Sequence, residues 1–278
     1  MGIIEAIILG AVEGITEFLP VSSTGHLTVA EKLFGHSINS HDITAFTAII
    51  QIGAVLATLL YFRKDIWRIV SGWLGGLVSA SGRRSPDYKF GWAIIAGSVP
   101  IAVAGLAFKD QVEGPLRNLW IVAFALLAWS FVMWLADRTA AQVRHEKEVT
   151  AKDTIIIGLV QCLALIPGVS RSGATMSAGL FRGFDRVEAT RLSFFLAIPA
   201  LVAAAIFESA SQFANISNGV GWTPTIVATI ASFVVAYAAI AWLLRYISKH
   251  SFMLFIAYRL AAGVILLALL ATGAIAST

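Results

Sequence analysis

Two carboxylates, Glu13 and Glu17, stand four residues apart in a segment, 3–20, made mostly of Ile, Leu, Val, Ala, Phe and Gly. On a helix that spacing puts both on one face. Burying them among apolar neighbours is costly unless they are paired or used. Pro20 ends the segment, and Val21-Ser22-Ser23-Thr24-Gly25-His26 follows, with three hydroxyls, a flexible glycine and an imidazole in one short turn. Such a stretch offers backbone N–H groups and the hydroxyls of Ser22, Ser23 and Thr24 to an anion. A hydroxyl beside an imidazole also suggests a nucleophile with a general base. The plainer alternative for any one hydroxyl is a bond back to its own helix.

A second stretch, Pro167-Gly-Val-Ser-Arg-Ser-Gly-Ala-Thr175, repeats the pattern. Sliding the chain by 148 positions lays Gly10 on Gly158, Val12 on Val160, Val21 on Val169, Ser22 on Ser170, Thr24 on Ser172, Gly25 on Gly173, Phe46 on Phe194 and Ile50 on Ile198. The second copy lacks the carboxylates, having Gln161 and Leu165 instead, and carries Arg171 where the first has Ser23. The planar fork of Arg171 suits a phosphate, and an ion pair with Glu13 or Glu17 before ligand binds is compatible with that use. A multiply charged anion beside two glutamates is repelled unless something intervenes. A divalent cation, Mg²⁺ or Ca²⁺, held by Glu13 and Glu17 would resolve the conflict. So would a protonated glutamate acting as general acid, and the residues alone leave both open.

The elements that must position these groups are membrane helices. Of 278 residues, 58% are hydrophobic and 13% charged, against about 25% charged in an ordinary soluble domain. Apolar runs at 43–62, 90–108, 118–136, 191–208, 223–243 and 252–275 are each long enough to cross a hydrocarbon core of about 30 Å. Residues 3–30 and 154–182 instead start as apolar helices and break at a proline, as re-entrant segments do. The expected fold class is an all-α polytopic membrane protein with about six full spans, an inverted repeat with two re-entrant or broken-helix regions, and one short interfacial or additional helix at 66–80, where Trp67 and Trp73 suit the headgroup level. The chain forms one integral membrane domain, 1–278, in two repeats, 1–140 and 150–278.

Basic clusters at 63–68, 83–89, 138–152 and 245–249 mark one face, which the positive-inside rule makes cytoplasmic. Three crossings per half then invert the repeat, so the broken helices enter from opposite faces and meet near the midplane, where inverted-repeat proteins put their ligand sites. The net charge of +4 is spent on topology, and no nucleic-acid partner is expected. Cys162 has no partner for an intrachain disulfide, and the N-terminus carries no basic region of the kind that opens a cleaved signal peptide. Lys64, Arg83, Arg84 and Arg144 read as topology determinants. Arg182-Gly-Phe-Asp-Arg186 reads as an interfacial anchor. His36, His41, His145 and His250 show no metal-ligand spacing. A homodimer is compatible with these features, which do not fix the oligomeric state.

The runs Glu13-Gly-Ile-Thr-Glu17-Phe-Leu-Pro-Val-Ser-Ser-Thr-Gly-His26 and Pro167-Gly-Val-Ser-Arg-Ser-Gly-Ala-Thr175 resemble the two signature motifs of the undecaprenyl-diphosphatase family, also called bacitracin-resistance proteins. The resemblance covers essentially the whole chain. It implies divalent-cation-dependent hydrolysis of undecaprenyl diphosphate, a polyprenyl lipid substrate, to the monophosphate and inorganic phosphate. That recycles the carrier of peptidoglycan and other surface polymers in the bacterial inner membrane, with a pocket opening to the periplasmic or outer face. By the same resemblance Glu13 and Glu17 match the acidic pair, Ser22, Ser23 and Thr24 the hydroxyl cluster, His26 the histidine and Arg171 the arginine, while Ser170, Ser172 and Thr175 are second-motif phosphate contacts.

The mechanism expected from these residues has Ser23 attack the terminal phosphorus, with His26, oriented by Glu17, taking its proton and Arg171 and a cation neutralising the transition state. Attack by His26 itself, or by water activated at Glu17, is also open. The chain lacks the His-x-x-x-Asp that follows Ser-Arg in the other membrane phosphatase class, since 177–181 read Ser-Ala-Gly-Leu-Phe, and it lacks the Gly-Lys-Ser/Thr end of a P-loop. The rival from another class is a transporter, because inverted broken helices are a transporter design, and flipping of the lipid carrier is a further expectation to test.

Overall fold

The computed structural model describes residues 1–37, 40–108, 111–112, 114–116, 118–211 and 213–277. Its α-helices run in order α1 (Ile3–Thr16), α2 (Ser23–Leu33), α3 (His41–Tyr61), α4 (Arg63–Val78), α5 (Pro86–Ala107), α6 (Leu119–Thr139), α7 (Ala151–Gln161), α8 (Arg171–Phe181), α9 (Arg186–Ser211), α10 (Phe213–Asn218), α11 (Trp222–Ile247) and α12 (Met253–Ala271). Among the described residues the one β-type pairing is an isolated bridge between Arg144 and Phe184. Six helices, α3, α5, α6, α9, α11 and α12, are long and apolar enough to cross a membrane, which is the all-α polytopic architecture the sequence predicts.

The expected interfacial element is α4. Trp67, Leu74 and Val78 are exposed on it, and only Ile69 and Gly76 are buried. Its basic end is pinned by ions: Arg68 pairs with Asp87 at the start of α5 and, at 2.7 Å, with Glu146, while Arg191 of α9 reaches Asp65 and Glu146.

The two broken regions fold as helical hairpins with matching bounds. In the first, α1 stops at Thr16, ahead of Pro20, with Glu17 as its C-cap, and α2 begins at Ser23. In the second, α7 tightens into a 3₁₀ turn over Cys162–Leu165, and α8 begins at Arg171. Their packing is reciprocal: α1 lies along α11 of the other half, and α7 lies along α5. Both crossings depend on glycine. A methyl group on Gly10 would run into the Ala228 carbonyl, and one on Gly158 would run into the Gly97 carbonyl. Lipid offers no hydrophobic drive between helices, so close backbone approach through small residues supplies the association. Further contacts, among them α3 with α11 and α9 and α6 with α12, close the bundle around the two hairpin breaks.

Candidate active site

Each break is built on one local device. Ser22 and Ser170 both sit at positive φ, 78° and 76°, a conformation uncommon outside glycine. Each caps the following helix, Ser22 Oγ accepting from the Gly25 N–H at 3.4 Å and Ser170 Oγ from the Gly173 N–H at 3.2 Å. The sharp reversal lets each helix start beside a cavity that residues of both hairpins line. The hairpins are also joined directly, because the Gly168 N–H donates to Ser22 Oγ at 3.2 Å.

Glu17 is the hub. Its carboxylate, 4% exposed, accepts from Ser23 Oγ at 2.7 Å, from Arg171 Nη2 at 3.1 Å and from Gln51 Nε2 at 3.2 Å. One group thus gathers α1, α2, α3 and α8. A cavity of about 150 Å³ opens beside it, with Ser22, Ser23, Thr24, Gln51, Ser170 and Arg171 on its polar wall. Arg171 Nη1 is buried and has no hydrogen-bond partner among the described residues. A guanidinium half spent on Glu17 and half unspent beside a cavity leaves donors for an anion. Phe18 lies against the same guanidinium, 5.8 Å from ring centroid to Cζ.

Several expected site residues fall elsewhere. The His26 ring is engaged at both nitrogens, Nδ1 with the Ser22 carbonyl at 2.7 Å and Nε2 with the Tyr258 hydroxyl at 2.6 Å. It therefore bonds neither Ser23 nor Glu17, and the relay of Ser23 to His26 to Glu17 is absent: the serine meets the carboxylate directly. Thr175 and Ser172 lie off the cavity wall. Thr175 is fully buried and donates to the Arg171 carbonyl at 2.8 Å and to Ser193 Oγ at 2.6 Å, and Ser172 donates to the Leu19 carbonyl at 2.9 Å. Both hydroxyls are spent on holding helices together. Glu13, 2% exposed, sits one turn before Glu17 and within electrostatic reach of Arg171 and of a third buried carboxylate, Glu31.

Sequence reasoning missed Gln51, Glu31, Tyr258 and Arg259. Glu31 accepts from Thr47 Oγ1 at 2.6 Å. Arg259, fully buried in α12, donates to backbone carbonyls at both breaks. The rule that an ionisable residue at membrane depth is functional by default, which singles out Glu13 and Glu17, applies equally to Arg259 within the run 252–275.

Among the described residues no cluster of three or more His, Cys, Asp or Glu could hold a metal, so no closed protein cage is present. The donors at hand are carboxylates and hydroxyls. That set suits a hard divalent cation that keeps waters and takes further oxygens from a phosphate ligand.

The fold and the site together define a polytopic membrane protein whose buried polar cavity is assembled from two broken helical hairpins. Residues 6–265 match the family model described as bacitracin resistance protein BacA, and the chain belongs to that family. It is 61% identical over 278 residues, all of both chains, to a protein of Frankia casuarinae named undecaprenyl-diphosphatase 3. It is 56% identical, over 97% of this chain and 98% of the other, to the undecaprenyl-diphosphatase of Cutibacterium acnes. A third relative, from Acidothermus cellulolyticus and named undecaprenyl-diphosphatase, is 51% identical over 97% of each chain.

Proposed function

We propose that this chain hydrolyses undecaprenyl diphosphate to undecaprenyl phosphate and inorganic phosphate, returning a lipid carrier to cell-envelope polymer synthesis and conferring bacitracin resistance. The names of its full-length relatives support the substrate. The observation that carries the chemistry is the Glu17 hub, which joins a hydroxyl and a guanidinium from opposite hairpins beside one cavity.

In this reading Glu17 Oε2 takes the Ser23 proton as Ser23 Oγ attacks the terminal phosphorus. The Oγ–P bond forms and the bridging P–O bond breaks, so undecaprenyl phosphate leaves with the bridging oxygen. Water then attacks the phosphoserine, Glu17 returns the proton to Ser23 Oγ, and inorganic phosphate is released. Arg171 leaves its ground-state bond to Glu17 for the phosphoryl oxygens, where its charge opposes the developing negative charge. Ser22, Thr24 and Ser170 line the phosphate pocket. Glu13 and Glu17 would hold the Mg²⁺ or Ca²⁺ that accompanies the substrate, and its charge would shield the diphosphate from the carboxylates. His26 positions the start of α2 through the Ser22 carbonyl.

The two halves are read as inverted repeats, 1–140 and 150–278, on the support of matched hairpins and reciprocal packing. The basic loops are placed on the cytoplasmic face of the inner membrane, and the family resemblance implies a pocket that opens to the outer face. The relatives' names lend no support to lipid flipping.

The test is phosphate release from the prenyl diphosphate by purified protein in detergent. Release by the wild type, its loss in Glu17→Ala and Arg171→Ala, and a trapped phosphoserine that Ser23→Ala abolishes are expected. Lipid movement in liposomes without phosphate release would replace this reading with transport.

A further inference from the structure

The largest fully buried side chain among the described residues is charged. Arg259 is 0% exposed, in the N-terminal half of α12, and no carboxylate pairs with it among the described residues. Burying an ion without a counterion costs several kcal/mol. Its compensation is geometric. Arg259 Nη2 donates to the Gly168 carbonyl at 2.9 Å and Nη1 to the Pro20 carbonyl at 3.2 Å, while Nε donates to Ser130 Oγ at 3.2 Å and Nη2 also approaches the Leu126 carbonyl at 3.4 Å.

Pro20 and Gly168 occupy the same place in the two hairpins, each two residues before the positive-φ serine that caps the inward helix. Breaking a helix at membrane depth frees carbonyls that water cannot satisfy. The five fixed donors of one guanidinium can satisfy an equivalent carbonyl from each copy at once, which an ammonium or an amide cannot do in that geometry. A helix outside both hairpins thereby reads the same atom in each. The Gly168 N–H to Ser22 Oγ bond closes the ring, so the chain of contacts runs Pro20, Arg259, Gly168, Ser22. Tyr258, the neighbour of Arg259, holds the His26 ring of the first hairpin at 2.6 Å.

We infer that Arg259 is a positioning residue for the reaction: it sets the register between the hairpin that carries Ser23 and Glu17 and the hairpin that carries Arg171. It touches none of the reacting groups. The kinetic consequence rests on the cleavage reading above, whereas the register itself does not. Arg259 acts on the alignment of groups already bound, so its loss falls on kcat more than on KM.

The experiment uses the full chain in detergent, with Arg259→Lys keeping the charge and losing the fork. Expected are a kcat lower by about 10- to 100-fold, as for a misplacement of about 1 Å, and a KM within about threefold of wild type. A wild-type kcat in the folded fraction of Arg259→Lys would overturn the inference. If Arg259→Lys does not fold, Ser130→Ala loosens the guanidinium with its charge intact and should lower kcat about threefold or more; an unchanged kcat counts against the inference. If the wild type releases no phosphate from the prenyl diphosphate, it is the cleavage reading that fails. Arg259 is then judged on the register alone, by hydrogen exchange of the Gly168 N–H that bonds Ser22 Oγ, expected faster in the folded fraction of Arg259→Lys than in the wild type; equal protection in both would sink it.

Discussion

Replacing Glu17 with glutamine separates what its carboxylate does for the fold from what it does for the reaction. The side chain is 4% exposed and its three partners lie at 2.7, 3.1 and 3.2 Å. The amide keeps the shape, and its oxygen can still accept from Arg171 and Gln51. What disappears is the charge opposite Arg171, itself 16% exposed. Breaking a buried pair costs about 3–5 kcal/mol when the other charge is stranded. Because the amide oxygen remains and the cavity admits water to Arg171, about 1–3 kcal/mol is expected for Glu17→Gln. The proton acceptor for Ser23 is lost outright, which costs about 10²–10⁴ in kcat. Phosphate release and thermal melting in detergent should therefore dissociate, with a modest fall in stability and a severe fall in turnover. Ser23→Ala should be as slow, and the double variant no slower than the worse single, because the two groups perform one step. Turnover of Glu17→Gln within about tenfold of wild type, or losses that multiply in the double variant, would refute direct transfer from Ser23 to Glu17.

Two further outcomes follow from neighbouring contacts. His26→Gln should lower kcat while leaving the shape of the pH–rate profile intact, since both ring nitrogens are occupied away from Ser23; loss of a limb near pH 6–7 would restore an imidazole base. Asp153 is fully buried at the start of the second hairpin, between Arg144 and Arg182, at 2.8 Å from each. Burial alone would raise its carboxyl, but hydrogen bonds from Arg144, Thr150 and Arg182 hold it well below the usual carboxylate range. Its stabilisation is then complete above the unfolded value of about 3.9 and declines as pH falls from there toward the folded value. Asp153→Asn should destabilise the protein by about 3 kcal/mol at neutral pH by stranding two guanidinium groups, and should flatten the acid decline seen by thermal melting.

The spans were legible because each is a long apolar run bounded by charged or Gly/Pro-rich stretches, and the hairpin breaks because Pro20 and Pro167 with their Ser/Thr/Gly stretches interrupt apolar runs visibly. Glu17 and Arg171 stood out for the same reason, as charges where apolar residues belong. Partner choice was not legible. His26 lies three residues from Ser23, yet the turn of α2 carries its ring to the far side, toward Tyr258, more than two hundred residues on in the chain. Ser172 and Thr175 share a motif with Arg171, but a hydroxyl on a helix has a carbonyl of its own turn within reach, and the packed neighbours Leu19 and Ser193 complete the bonding. Motif membership places a residue near the site. Only the helix phase decides whether it faces the cavity.

The division of charge between the hairpins also explains why the cavity can exist before substrate arrives. Glu17 alone at that depth would be an unpaired anion, and Arg171 alone an unpaired cation. Together they neutralise each other across the interface, and the pair opens only for a ligand that offers Arg171 a better anion than Glu17. A diphosphate does so with several oxygens at once. In the proposed reaction, releasing Glu17 from Arg171 leaves its carboxylate facing the hydroxyl it already holds at 2.7 Å. Substrate binding on one hairpin thus frees, in that reaction, the proton acceptor on the other, so a hairpin register that drifts would weaken both events together.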